Sequence, residues 1–227
     1  KIYIRNYSNE NTVLYKSHKR KGHKAIKEHN ILPRFTGGIV HDHDTTMYSY
    51  GTKHYECIIH LGRYLEEIIE NVSNVTWSKS LKDLLFEIYS ERKKLVNQKI
   101  SSFTNEQIID YEKRYDEIIS LSKEENKNIR SSFYKSKAKT LANRCEKYKD
   151  AHLNFMKDFA VPFDNNLSER ALRIVKTKTK VSGGFRSKNG YENYCNAISI
   201  INTAKMRDIN PFKAITSVFN NENIFTN

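Results

Sequence analysis

Two short stretches near the start of the chain, "KIYIRNY" (1–7) and "TVLYKSH" (12–18), are rich in β-branched and aromatic residues. Such runs predict strands, and the polar "SNEN" between them predicts a hairpin. "GHKAIKEHN" reads as a short helix. "RFTGGIVHDHD" reads as a buried strand from Gly38 to Val40 that ends in carboxylates. A strand–helix–strand order is the start of an α/β sheet. From Lys53 onward the apolar spacing turns helical. Tyr55, Ile58, Ile59, Leu65, Ile68 and Ile69 form one stripe, and Trp77, Leu81, Leu84, Leu85 and Ile88 a second. "TNEQ" at Thr104–Gln107 is a capping box that leads into Ile108, Tyr111, Tyr115 and Ile118. Ala138, Leu141, Cys145 and Tyr148 make a further stripe. No Pro or Gly falls between Trp77 and Lys157, which fits long antiparallel helices with their aromatics in the core. Pro162 breaks this region. A helix then starts near Asn165 or Asn166 and runs towards Lys176. "SGGFRS" is a turn, a helix follows from about Lys188 to Arg207, "INPF" opens a last short one, and "NNENIFTN" frays.

Composition narrows the class. The 227 residues carry 39 Lys and Arg against 26 Asp and Glu, a formal charge of +13, which attracts polyanions and above all nucleic acid. General solubility is the bland account of the same excess. No apolar run approaches the ~18–20 residues of a membrane span. The first residues lack the apolar block of a signal peptide. Cys57, Cys145 and Cys195 are far apart and form no Cys-x-x-Cys pair, so neither a disulfide framework nor a four-ligand zinc site is indicated. The expected compartment is the reducing cytoplasm.

Three segments carry candidate chemistry. Asp42 stands where Ile39 and Val40 meet a polar turn, and carboxyl ends of strands in α/β sheets are where ligands bind. Asp44 is equally explained by turn chemistry. His41 and Asp42, as strand neighbours, point apart and do not chelate together. "CIIHLGR" places Cys57, His60 and Arg63 along one helix face. As a zinc site it lacks two ligands, as a Cys–His nucleophile it lacks an oxyanion motif, and a structural or DNA-facing helix explains it as well. "VPFDNNLSERALRIVKTK" (161–178) contains Asp164, Asn165, Asn166 and Glu169. Asn166 as N-cap with Glu169 at the third helical position is a capping box. A carboxylate on a first helical turn can also face a metal. Arg170, Arg173 and Lys176 follow at three-residue spacing, a row suited to phosphate.

Taken together, "GGIVHDHD", "ECIIHLGRYL" and "VPFDNNLSERALRIVKTKTKVSGGFRSKNG" resemble the core of an insertion-sequence-66 family transposase, a bacterial DDE-type enzyme. The matching positions are Asp42; Cys57, His60 and Arg63; Pro162, Asp164, Asn165, Asn166, Glu169, Arg170 and Arg173; and Ser182 with Gly183. The resemblance implies a ribonuclease-H-like sheet with a large all-helical insertion between the second and third acids. Residues 1–70 and 161–227 would form the catalytic domain and 71–160 the insertion. Asp42 would be the second acid and Glu169 the third, both holding Mg²⁺ or Mn²⁺. Cys57, His60, Asp164, Asn165 and Asn166 would support the motif, and Arg170, Arg173, Lys176 and Arg63 would contact DNA. Transposon-end and target duplex DNA would be the partners, bound by a homo-oligomer. Residues 1–41 contain no Asp, so the first acid is expected upstream, and the chain reads as an N-terminally truncated core. Two other readings share these features: a non-catalytic DNA-binding remnant of a decayed transposon, and a ribonuclease-H-like nuclease that nicks without joining.

Overall fold

The structure, a computed structural model, describes residues 2–225, so Thr226 and Asn227 of the terminal "NNENIFTN" lie outside it. Strands β1 (Tyr3–Asn9) and β2 (Thr12–His18) lead to helix α1 (Gly22–His29). Strands β3 (Gly38–His41) and β4 (Lys53–Glu56) follow. Next come helices α2 (Ile58–Asn71), α3 (Trp77–Asn97), α4 (Asn105–Glu125), α5 (Ser132–Lys147) and α6 (Lys149–Lys157). Helices α7 (Asn166–Val181), α8 (Lys188–Met206) and α9 (Pro211–Phe219) complete the order. Two units result: one of Lys1–Phe35 with Asn166–Asn227, the other of Thr36–Asn165.

In the first unit β1 and β2 pair antiparallel with Asn9 opposite Thr12, so Glu10 and Asn11 form the turn. Val13 and Tyr15 of β2 are buried with Val175 of α7 and Cys195 and Ile198 of α8. A strand edge has unpaired backbone groups that must find partners when covered. Helix α8 supplies them through hydroxyls. Thr203 Oγ1 accepts from Val13 N–H and donates to Val13 O, each at 3.1 Å, and Ser199 Oγ accepts from Tyr15 N–H at 2.9 Å. The Tyr15 hydroxyl donates to Ala171 O at 3.1 Å, which ties in α7.

The second unit is built on β3 and β4, paired in parallel with Gly38 opposite Lys53 and His41 opposite Glu56. Its core runs from Tyr55 through the inner faces of α2–α6 to Phe163. The capping box at Thr104 and Gln107 is present, with Thr104 Oγ1 accepting from Gln107 N–H at 3.2 Å. Gly51 has φ of 71°, and a Cβ there would meet Gly37 O at 2.7 Å, so the turn into β4 requires glycine.

Three expectations change. Lys53–Glu56 is a strand and the helix begins at Ile58. Four residues that abut a helix are too few to be told from it by spacing, and pairing with β3 decides. The strands form two two-stranded sheets, β1–β2 and β3–β4, among the described residues rather than one α/β sheet. Helix α7 runs from Asn166 to Val181, about one and a half turns beyond the Lys176 expected from spacing.

Glu56, the last residue of β4, has a side chain with no exposed surface. Oε1 accepts from the Tyr48 hydroxyl at 2.5 Å and lies 2.5 Å from His43 Nδ1. Oε2 pairs with the Arg144 guanidinium of α5 and lies 3.2 Å from Nε2 of His152 on α6. Burial by itself would raise this carboxyl's pKa. The contacts from His152 and His43 and the Arg144 charge outweigh burial and hold it well below the ordinary carboxylate range. His43 reaches the carboxylate from a left-handed backbone, φ 56°.

Two outcomes follow from these buried groups. Glu56→Ala leaves Arg144 buried without its partner, and urea unfolding should show a loss of about 3–5 kcal/mol. In the first unit, burial lowers the His29 pKa from 6.5 to about 4. The unfolded chain then binds more protons between these values, so stability falls as pH drops from about 6.5 to about 4. Unfolding midpoints across this range should vary less with pH in His29→Gln than in the parent chain.

Candidate metal and DNA-processing site

The parallel register of β3 and β4 brings their carboxyl ends together. Asp42 follows β3 and Cys57 follows β4, and Cys57 N–H donates to His41 O at 3.0 Å. Cys57 also precedes α2 as its N-cap residue, which places His60 one turn into the helix. His60 Nδ1 lies 3.3 Å from Cys57 Sγ and 3.3 Å from Asp42 Oδ1. Arg63, a further turn on, places a guanidinium nitrogen 3.4 Å from His60 Nε2.

The segment before α7 returns to this point. Phe163 is 4% exposed and stacks on Tyr89 at 3.9 Å, with Phe86 and Phe155 edge-on at 5.5 and 5.0 Å. So anchored, its carbonyl accepts from Ile58 N–H at 3.1 Å and satisfies an open donor at the start of α2. Two residues on, Asn165 makes two bonds. Its N–H donates to Cys57 Sγ at 3.3 Å and its side-chain Nδ2 donates to Asp42 Oδ1 at 3.0 Å. The half-buried Asp164 lies between them.

Burial pushes the Cys57 thiol above its ordinary pKa, against the bonds from His60 and Asn165 that lower it. A neutral, 1% exposed sulfur is a hydrogen-bond acceptor and a poor nucleophile, so the Cys–His nucleophile reading loses its support. Asp44 resolves as turn chemistry, since its Oδ1 accepts from Thr46 N–H at 3.1 Å and Thr46 Oγ1–H at 2.6 Å.

Of the predicted residues in the second unit, the structure gathers Asp42, Cys57, His60, Arg63 and Asn165. The ligating atoms of Asp42, Cys57 and His60 lie within 4.8 Å of one another, close enough to hold a divalent ion. Mg²⁺ is held through one or two carboxylates with water and substrate phosphate filling the rest. Asp42, half-exposed with an oriented carboxylate, fits that role.

In the first unit Glu169 lies in the first turn of α7, half-buried, with Asn166 exposed before it. Arg170, Arg173 and Lys178 line a shallow groove with Ile174, Val181 and Tyr194. Lys176 is exposed but does not line this groove, because a helix turns it away from the Arg170–Ile174–Lys178 face.

Residue spacing missed Phe163 and the groups around Glu56. Phe163 stood in plain view beside Pro162, but its partners come from α3 and α6. Arg144 and His152 lie on two different helices and leave no periodic trace.

No helix among the described residues is long and apolar enough to cross a membrane. No curated protein and no solved structure matches the chain. The sequence profile described as Transposase IS66 family matches residues 2–193. This span takes in both strand ends, the Cys-x-x-His-x-x-Arg helix and the segment that carries Asn165 and Glu169. Transposases move DNA segments, and with most of its length matched this chain belongs to the IS66 family of transposases.

Proposed function

We propose that this protein is the catalytic core of a DDE-type transposase, with a ribonuclease-H-like domain interrupted by the helices α3–α6. Asp42 and Glu169 hold Mg²⁺ or Mn²⁺, and the reaction is cleavage and strand transfer at transposon ends. The observation that carries the reading is the bond from Asn165 to Asp42 Oδ1, at 3.0 Å. It joins the strand-end acid to the motif segment whose next acid, Glu169, follows four residues later on the first turn of α7. When bound, the divalent ions stabilise the attacking and leaving oxygens at the phosphate.

The chain's own groups orient and bind. Asn165 holds the Asp42 carboxylate in place. Arg170 and Arg173, with Lys178 beside them, meet the phosphate backbone by charge and fix the register of the duplex without reading its bases. An exposed guanidinium suits this role because it offers a fork of donors to phosphate oxygens.

In strand-transfer assays of the intact protein with transposon-end DNA and Mg²⁺, Asp42→Asn and Glu169→Gln should each abolish joining while the DNA affinity stays within a few-fold. Normal joining by either variant would sink the assignment. Arg170→Ala with Arg173→Ala should weaken DNA binding and make the dependence of log K on log salt shallower by about two phosphate contacts. An unchanged slope would remove these arginines from the interface.

A further inference from the structure

Cys57, His60 and Asn165 surround Asp42 with more organisation than a metal-binding carboxylate needs by itself. We propose that His60 and Asn165 are positioning residues that orient the Asp42 carboxylate, and that Arg63 serves them by fixing the tautomer of the His60 ring. This assignment rests on the reading of Asp42 as a metal ligand.

Asp42 Oδ1 is approached from two sides. Asn165 Nδ2 donates to it at 3.0 Å, and His60 Nδ1 lies 3.3 Å away. A ring nitrogen supports a carboxylate only when it bears the proton. Arg63 has donors and no acceptor, so its approach to Nε2 at 3.4 Å is a hydrogen bond only with the lone pair there. The contact is long and therefore weak, but it selects the same tautomer as Asp42 does. The proton sits on Nδ1 and points at Asp42 Oδ1 and Cys57 Sγ.

The same geometry argues against Cys57 and His60 as ligands themselves. Metal at Nδ1 would put the ring proton on Nε2, facing the Arg63 donor. The sulfur already receives Asn165 N–H and the His60 ring nitrogen, both at 3.3 Å. Cys57 is instead a buried peg, fixed between the end of β4 and the start of α2. Asn165 uses that peg through its main chain while its side chain reaches Asp42. The two bonds of one residue thereby lock the distance between the two strand ends.

Holding Oδ1 from two directions fixes the plane of the carboxylate before any ion arrives. Groups that orient a ligand in this way change metal affinity by roughly 10–100-fold when removed. Arg63 then acts through His60, a different task from a phosphate contact.

Two measurements on the purified chain test this. Long-range ¹H–¹⁵N spectra near neutral pH should show His60 protonated on Nδ1, with Arg63→Ala shifting the population towards Nε2. A ring protonated on Nε2 in the parent chain overturns the proposal. Mn²⁺ titration followed by electron paramagnetic resonance should show binding weakened about 10-fold or more in His60→Ala and Asn165→Ala. His60→Asn, whose amide nitrogen stands near the place of Nδ1, should recover most of the loss. Failure of that rescue, with both chains folded, overturns the hydrogen-bonding role. A thiolate-to-metal charge-transfer band on adding Co²⁺, lost in Cys57→Ser, would make Cys57 a ligand and also overturn it. Mn²⁺ affinity unchanged in Asp42→Asn defeats the metal reading itself and this proposal with it. If Asp42→Asn weakens binding while His60→Ala and Asn165→Ala do not, only the positioning fails.

Discussion

The carboxylate of Glu56 sits in the interior of its unit with no exposed surface, and a charge so placed is tolerable only if it is matched from every side. The matching groups come from distant parts of the chain. His43 and Tyr48 arrive from the turn after β3, Arg144 from α5 and His152 from α6. Because the next residue is Cys57, this demand fixes the strand end that faces Asp42. The helices α3–α6 are therefore more than a spacer between two motifs. Two of them, α5 and α6, supply Arg144 and His152 to Glu56 and so hold the rim of the β3–β4 pair in register.

A second constraint comes from Phe163. Its ring is stacked on Tyr89 of α3 and its carbonyl closes the first turn of α2, so the chain must pass the strand ends at that point. Asn165 is thereby delivered to Asp42 and Cys57 without a long side chain. Apolar packing sets the path and a polar side chain uses it. The hairpin unit follows a similar logic, with Ser199 and Thr203 of α8 satisfying the backbone of β2 while apolar neighbours bury Val13 and Tyr15.

Much of this was legible in the sequence. The hairpin, α1, β3, the capping box before α4 and the α8 and α9 helices follow from local pattern, because each is specified by residues within a few positions. The motif acids Asp42 and Glu169 and the Cys57-x-x-His60-x-x-Arg63 face were also visible. β4 was not, since four residues carry too little periodicity to compete with the helix that follows them. The single-sheet expectation failed for the same reason that strand pairing usually resists local reading: pairing is a contact between distant segments. Lys176 and Lys178 are both exposed on α7, and of the two Lys178 lines the groove with Arg170 and Arg173.

What the sequence by itself determined is chemistry of short range: which stretches bury an apolar face, where helices can be capped, and which acids and bases stand near one another along the chain. Family membership belongs here too, because a motif is read residue by residue. Only the tertiary structure decided that Asn165 meets Asp42, that the Cys57 sulfur is an acceptor, and that Glu56 is matched by two helices. The physical reason is that hydrogen bonds and desolvation depend on distances in space, and these join residues as far apart as 123 positions for Asn165 and Asp42 and 190 for Val13 and Thr203. Local pattern cannot encode the partner of a buried charge; the packed fold supplies it.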